Sequence, residues 1–106
     1  DQGQIDRAVE EYELAINIDP SFPFAYQNLA VIFAGSGQLE KAAAMLEKVK
    51  TLRPGEPRVY YNLGLIYLAQ SKRAEAIENL TAAVELAQDS SEVKNNAQSL
   101  LDRLRK

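Results

Sequence analysis

The chain has 106 residues, enough for one small domain with a hydrophobic core. Its formal net charge of −3 argues against a nucleic-acid-binding protein, which would need a basic patch. It contains no cysteine and no histidine, which excludes disulfides and thiolate metal sites and removes the usual catalytic base and the thiol nucleophile. No apolar run is long enough to span a bilayer, so we expect no membrane insertion. The compartment stays open, with the cytoplasm slightly favoured, and because the first residue is Asp1 and not Met we expect a fragment of a longer chain.

Apolar residues recur at intervals of three and four along most of the chain, which predicts helices. In chain order, the predicted helices span residues 4–18, 23–35, 38–52, 57–70, 73–87 and 90–105. Pro23 and Pro57 fit the first turn of a helix, whereas Pro20 and Pro54 follow helix ends. For the last helix we predict Asp89 or Ser90 as the N-cap, with Glu92 as its capping-box partner.

The sequence matches itself when it is shifted by 34 positions, and such an internal repeat changes the expected fold class. The matched pairs include Pro23 and Pro57, Tyr26 and Tyr60, Asn28 and Asn62, Leu29 and Leu63, Ala42 and Ala76, Leu46 and Leu80, and Pro20 and Pro54. Each repeat would contain two helices. We therefore predict one domain over 1–106, made of half a repeat (1–22), two full repeats (23–56 and 57–90) and a C-terminal capping helix (91–106).

Small residues stand where the two helices of a repeat should cross. Gly64 or Ala30 on the first helix and Ala42 or Ala76 on the second would let the helices approach closely. A glycine inside a helix costs about 1 kcal/mol relative to alanine, so tight packing must compensate for it. We predict that Gly64 packs against Ala76, and that the aromatic side chains beside the crossing fill the core.

The spacing Tyr60-x2-Leu63-Gly64-x2-Tyr67, followed by Ala76 and Leu80, resembles the signature of the tetratricopeptide repeat (TPR) family. The copy before it supplies Tyr26, Leu29, Ala30, Phe33, Ala42 and Leu46 in the same register. The resemblance implies an all-α fold: a right-handed superhelix of antiparallel helix pairs, here closed by a C-terminal capping helix. It also implies a module for protein–protein interaction, without a cofactor or metal.

In TPR proteins the first helices line a concave groove that binds a protein or peptide partner. Carried over residue by residue, the resemblance predicts these groove residues: Phe24, Gln27, Asn28, Val31, Arg58, Tyr61, Asn62, Leu65 and Asn96. Asn28, Asn62 and Asn96 are spaced by 34 and would form a ladder of side-chain amides. An asparagine can donate to and accept from a peptide backbone. The alternative is that these asparagines serve packing or capping only.

Other functions fit the sequence less well. The TPR clamp for a terminal carboxylate uses Lys and Asn, but Gln27 and Val31 occupy the matching places and Arg58 is the one cation expected on this face. Catalysis lacks the usual side chains, so we predict that the chain is not an enzyme. The alternative function is self-association, as a homo-oligomer formed through the N-terminal helix that carries Ile5 and Tyr12, because its apolar face lacks a partner helix.

Overall fold

The computed structural model describes residues 1–88 and 91–106, and every element that it contains in this part of the chain is an α-helix. The chain divides into two compact units, residues 1–53 and residues 54–106. The helices are α1 (Gln2–Ile18), α2 (Pro23–Gly35) and α3 (Leu39–Leu52) in unit 1, and α4 (Pro57–Ala69), α5 (Arg73–Leu86) and α6 (Glu92–Leu104) in unit 2. The predicted helix bounds agree with these to within two residues. None of the described helices is long and apolar enough to cross a lipid bilayer.

The core of unit 1 lies between α2 and α3. The side chains buried there are Ala25, Tyr26, Leu29, Ala30 and Phe33 from α2, and Ala42, Ala43, Leu46 and Val49 from α3. On α2 these residues follow the predicted helical stripe. Helix α1 packs against α2, but none of the residues of α1 is fully buried.

The core of unit 2 is built in the same way and includes the last helix. Leu80 and Ala83 of α5 form one buried cluster with Ala97 and Leu101 of α6. Leu63 and Gly64 of α4 are also buried, so the first-helix stripe again faces inward. Helix α6 is amphipathic: Ala97 and Leu101 pack into this core, whereas Asn95, Asn96 and Ser99 are exposed.

The N-cap of α6 differs from the prediction. We predicted Asp89 or Ser90 as the cap, and both lie outside the described residues. The cap in the structure is Ser91, whose Oγ accepts a hydrogen bond of 3.0 Å from the backbone N–H of Lys94. This cap makes Glu92 the first helical residue and not the third, so Glu92 is not the capping-box partner. Its carboxylate still complements the positive end of the helix dipole.

The predicted packing partner of Gly64 is also corrected by the structure. A Cβ atom added at Gly64 would lie 2.6 Å from both Cγ and Cδ2 of Leu80, far inside van der Waals contact. Leu80 is completely buried, so its side chain cannot turn aside into solvent. The residue that requires glycine at position 64 is therefore Leu80, one helical turn beyond the predicted Ala76.

Tyr26 and Tyr60, the first aromatic residues of the stripes on α2 and α4, each donate a hydrogen bond in addition to packing in the core. Tyr26 Oη donates a hydrogen bond of 2.9 Å to the carbonyl oxygen of Pro20, and Tyr60 Oη donates one of 2.6 Å to the carbonyl of Pro54. Each bond ties the start of a first helix to the turn that precedes it. Tyr26 is buried and its hydroxyl needs such a partner, since an unpaired buried hydroxyl is costly, whereas the bond of Tyr60 is exposed to solvent.

The turn before α2 is held by a local carboxylate. One oxygen of Asp19 accepts hydrogen bonds from the backbone N–H of Ser21 at 3.1 Å and from its Oγ at 2.7 Å. The hydrogen bond from the Ser21 hydroxyl, followed by that from its backbone N–H, lowers the pKa of Asp19 below its ordinary value, because both stabilise the carboxylate. Asp19 therefore keeps its negative charge at neutral pH.

The turns inside the two hairpins are the same motif with different residues. In the first, the N–H groups of Gly37 and Gln38 donate to the carbonyls of Ala34 and Phe33. In the second, Ser71 and Lys72 make the matching bonds to Leu68 and Tyr67. This pair of bonds is the Schellman motif, which requires a left-handed residue after the helix. Gly37 has φ of 77° and Ser71 has φ of 62°.

Replacing Ser71 by glycine is expected to stabilise the protein. A residue with a Cβ atom in the left-handed region carries roughly 1–2 kcal/mol of strain, which glycine avoids. We expect Ser71→Gly to raise the free energy of unfolding by about 0.5–1 kcal/mol in urea denaturation, after glycine's larger loss of entropy is deducted. The reverse experiment is Gly37→Ala, which should destabilise by a similar amount. Equal stability of all three proteins would contradict the strain argument.

Candidate functional site

The predicted site residues of α2 lie together on one side of that helix. The α2 face consists of Phe24, Gln27, Asn28 and Val31, spaced at i, i+3, i+4 and i+7. It points away from the buried stripe because the two sets of residues are offset by about half a helical turn. Phe24 is 58% exposed and Val31 is 71% exposed, so this face presents apolar side chains to solvent.

Asn28 lies half-buried in the middle of the α2 face. Its Nδ2 atom is buried, and among the described residues it has no hydrogen-bond partner. An unsatisfied buried amide costs about 1–3 kcal/mol, so this side chain does not stabilise the fold as a capping residue would. The structure thus gives Asn28 no hydrogen bond that explains its presence on this helix.

The α4 face repeats the arrangement one repeat later and consists of Arg58, Tyr61, Asn62 and Leu65. Arg58 is exposed and Leu65 is 39% exposed, whereas Asn62 is half-buried. Within the described residues, the Asn62 side chain has no hydrogen-bond partner and Arg58 has no ion-pair partner. Tyr61 differs from the other members, since its ring packs against the buried cluster around Leu80.

Asn96, the third asparagine of the predicted ladder, is an exposed residue of α6. Its neighbours Asn95 and Ser99 are exposed as well, so this end of unit 2 is polar. No group of three or more acidic side chains that could hold a metal ion occurs among residues 1–88 and 91–106.

Two features of the molecule were not predicted. Asn79 of α5 is 5% exposed, and its Nδ2 donates a hydrogen bond of 2.9 Å to the carbonyl of Glu75, one turn earlier. The burial of Asn79 could have been inferred from the repeat, because the residue 34 positions earlier is the apolar Met45.

The second feature is a cleft of about 560 Å³ in unit 1, between α1 and α3, with Leu29 and Phe33 of α2 among its lining residues.

The two helical hairpins, each with the same buried stripe, place the protein in the class of α-helical repeat proteins. Residues 33–101 match the family model described as "Tetratricopeptide repeat", and residues 1–37 match the one described as "TPR repeat". The chain belongs to the tetratricopeptide repeat family. No curated protein matches the sequence.

Solved structures share the fold at low sequence identity. The type III secretion chaperone SycD of Yersinia enterocolitica, in complex with a peptide of the translocator YopD, aligns with a TM-score of 0.86 and 20% identity over 98% of this chain and 82% of that chain. PcrH in complex with the chaperone binding region of PopD gives a TM-score of 0.84 and 19% identity, over 98% and 80%. The first TPR of Spaghetti (RPAP3) bound to the HSP90 peptide SRMEEVD gives 0.79 and 22%, over 99% and 83%. These likenesses and the family match confirm the predicted all-α TPR fold.

Proposed function

We propose that this chain is a protein-interaction module that binds an extended segment of a partner protein through the α2 face and the α4 face. The main support for the proposal is that the second repeat has a face of the same composition as the first. On α2, the exposed Phe24 and Val31 lie beside Asn28, whose buried Nδ2 has no hydrogen-bond partner among the described residues. On α4, the exposed Leu65 lies beside Asn62, whose side chain also has no partner in the described part of the chain. The structural neighbours with a peptide or a binding region in their complexes support the same role.

The chemistry of these faces suits a peptide backbone flanked by apolar side chains. An asparagine amide offers both a donor and an acceptor, which together match one peptide group. Successive side chains of an extended partner point to opposite sides, so every second one would contact the apolar residues of a face, Phe24 and Val31 on α2 or Leu65 on α4. Asn28 and Asn62 would then give affinity for the backbone, and the apolar residues would give preference for particular sequences.

The partner segment is proposed to be internal to its chain and not held by a terminal carboxylate. A carboxylate site needs cationic or multiple N–H donors to stabilise the negative charge. The α2 face has no cationic side chain and offers only the neutral amides of Gln27 and Asn28, and the α4 face offers one cation, Arg58. A partner with an acidic residue placed to reach Arg58 would gain a rim ion pair, worth at most about 1 kcal/mol.

Catalysis is not part of the proposed function. The sequence has no histidine and no cysteine, and its exposed carboxylates are spread over solvated helices that also carry Lys and Arg. Such helices are typical of charge-mixed surfaces and not of active sites.

The proposal predicts where a bound peptide perturbs the protein. Peptides selected from a random displayed library against the full chain would be titrated into the isotopically labelled protein and followed by NMR. We expect the largest changes at the amide signals of Phe24, Asn28, Val31, Asn62 and Leu65. Changes concentrated instead around the cleft between α1 and α3 would contradict the proposal, because they would place the peptide on another surface.

A further inference from the structure

Two exposed aromatic rings and a carboxylate lie together at the turn between α1 and α2. Phe22 is 43% exposed and Phe24 is 58% exposed, and the centroids of their rings are 6.0 Å apart. The ring planes are tilted by 38°, so the rings are not stacked face to face and both keep surface open to solvent. The carboxylate belongs to Asp19. We refer to Asp19, Phe22 and Phe24 as the turn site.

The backbone of the turn holds Asp19 next to Phe22. The N–H of Phe22 donates a hydrogen bond of 3.2 Å to the carbonyl oxygen of Asp19. Such a bond closes a four-residue turn, in which the first and last Cα atoms are less than about 7 Å apart. Ser21 occupies Oδ1 of Asp19 with two hydrogen bonds. The other oxygen, Oδ2, has no hydrogen-bond or ion-pair partner in the described part of the chain, and the residue is exposed.

The segment around the turn site supplies no cation of its own. Residues 8–40, which include the whole of α2 and most of α1, contain no lysine and no arginine. The negative end of the α1 dipole and the positive end of the α2 dipole meet at this turn and largely cancel. The last turn of α1 has no basic residue and the first turn of α2 has no acidic one. The charge of the turn site is therefore that of Asp19.

The next repeat shows that the fold does not require aromatic rings at this turn. The residues 34 positions after the three members of the turn site are Arg53, Glu56 and Arg58. The second turn is therefore charged where the first has a carboxylate and two phenylalanines. Exposed aromatic rings that lie side by side, at positions where the same fold accepts charged residues, are typical of a binding surface.

The combination of aromatic rings with a carboxylate matches one side chain better than any other. An arginine guanidinium is planar, stacks on the face of an aromatic ring and directs paired N–H donors at a carboxylate. The lysine ammonium is a compact point charge without the planar group. An apolar side chain would cover the rings but would leave the carboxylate of Asp19 beside it without a partner.

We propose that the turn site binds an arginine side chain of the partner segment. The guanidinium would lie over the ring of Phe22 or Phe24 and donate to Oδ2 of Asp19. Because Phe24 is also a member of the α2 face, this inference rests on the function proposed for that face. It adds the identity of one partner residue and gives Asp19 and Phe22, which lie outside both faces, a part in recognition.

The first test uses the full chain and a random displayed peptide library. The library is selected in parallel against the wild type and against Asp19→Arg, which introduces the residue that the next repeat has at this place and leaves both rings and the α2 face intact. Circular dichroism checks that the variant remains helical. We expect arginine to be enriched about fivefold or more at one position of the peptides selected by the wild type, and not to be enriched by the variant.

The second test measures which groups recognise the arginine. One selected peptide is compared with copies that carry lysine or citrulline, the neutral analogue of arginine, at the enriched position. We expect a Kd about threefold higher for lysine and about tenfold higher for citrulline. Asp19→Asn removes the charge and keeps an oxygen for Ser21. It should weaken the arginine peptide about fivefold and the citrulline peptide less than about twofold, because the carboxylate and the guanidinium are coupled.

Two further variants separate the ring from general effects of charge. Phe22→Leu keeps an apolar side chain without an aromatic face and should weaken the arginine peptide about threefold. Glu11→Gln removes another exposed carboxylate of α1 and should change the affinity less than about twofold. A loss in Glu11→Gln equal to that in Asp19→Asn would overturn the proposal, since attraction to the acidic chain as a whole would then explain the preference.

NMR of the labelled protein with the selected peptides distinguishes this inference from the function on which it rests. Peptides that perturb the α2 and α4 faces but show no preference for arginine, or that prefer lysine or an apolar residue equally, would overturn the arginine site alone. Peptides that perturb neither face would overturn both. Arginine enrichment that Asp19→Arg abolishes, with the amide signal of Phe22 shifted by the bound peptide, is the result that the proposal predicts.

Discussion

Replacing Gly64 by leucine is expected to lower the free energy of unfolding by about 2 kcal/mol, because the added side chain overpacks a filled core. Even the first added carbon would lie 2.6 Å from two atoms of the buried Leu80 side chain. Overpacking of this kind costs about 3 kcal/mol, whereas the gain in helix propensity over glycine returns about 1 kcal/mol. Urea denaturation followed by circular dichroism measures the difference, which corresponds to a fall of roughly 10 °C in Tm.

A matched control exists in the preceding repeat. Gly35, at the end of α2, has no heavy atom within 4 Å of the place where a Cβ would stand. Gly35→Leu should therefore leave the stability nearly unchanged or raise it slightly. In addition, Leu80→Ala should cost less in the Gly64→Leu background than alone, because the two side chains compete for one space. Equal losses for Gly35→Leu and Gly64→Leu, or strict additivity, would show that contact with Leu80 is not the reason for glycine.

The fold could be predicted from the sequence because two periodicities agree. The short interval of three and four positions marks each helix, and the long interval of 34 positions shows which helices are equivalent. Buried residues such as Leu29, Leu63 and Leu80 follow from these two patterns alone. Local propensity by itself would have read the apolar stretch around Tyr60 and Tyr61 as a strand.

The details that escaped prediction depend on distances that no periodicity contains. The contact between Gly64 and Leu80 is set by the angle at which α4 crosses α5, and the spacing of small residues does not encode that angle. The N-cap at Ser91 was missed because neighbouring serine and aspartate residues differ little in capping energy. The hydrogen bonds from Tyr26 and Tyr60 to proline carbonyls were missed because the pattern treats these rings only as volume.

The candidate site was predicted in outline from the family resemblance and the helical stripe. Phe24, Asn28 and Val31 share one face because they are spaced at i, i+4 and i+7, which requires no tertiary information. That the ring of Tyr61 packs on the core of unit 2 could not be read from the same spacing. The cleft in unit 1 was also beyond prediction, since its size depends on how far apart α1 and α3 lie.

The combined variant Asn28→Ala and Asn62→Ala is expected to weaken peptide binding about thirtyfold. Each asparagine would contribute a net hydrogen-bond energy of about 1 kcal/mol, and about 2 kcal/mol in total corresponds to that factor in Kd. The free energy of unfolding of this double variant should not be lower than that of the wild type. Nδ2 of Asn28 is buried without a partner among the described residues, so its removal eliminates a desolvated donor and costs no bond.

Asn17 on α1 provides a control, which shows whether removing an asparagine outside the two faces also changes peptide affinity. Asn17 is exposed, lies outside both faces and lines the cleft of unit 1. Asn17→Ala should leave the affinity for the selected peptide unchanged. A loss of affinity in this variant would direct attention to the cleft as the binding surface.

The central claim is that the asparagines of the α2 and α4 faces serve binding and not folding. Its most direct test is isothermal titration calorimetry of one selected peptide with the wild-type chain and the double variant, paired with the Tm of both proteins. We predict a Kd raised about thirtyfold and a Tm within roughly 2 °C of wild type. An unchanged Kd together with a clearly lowered Tm would contradict the claim, because the asparagines would then be structural.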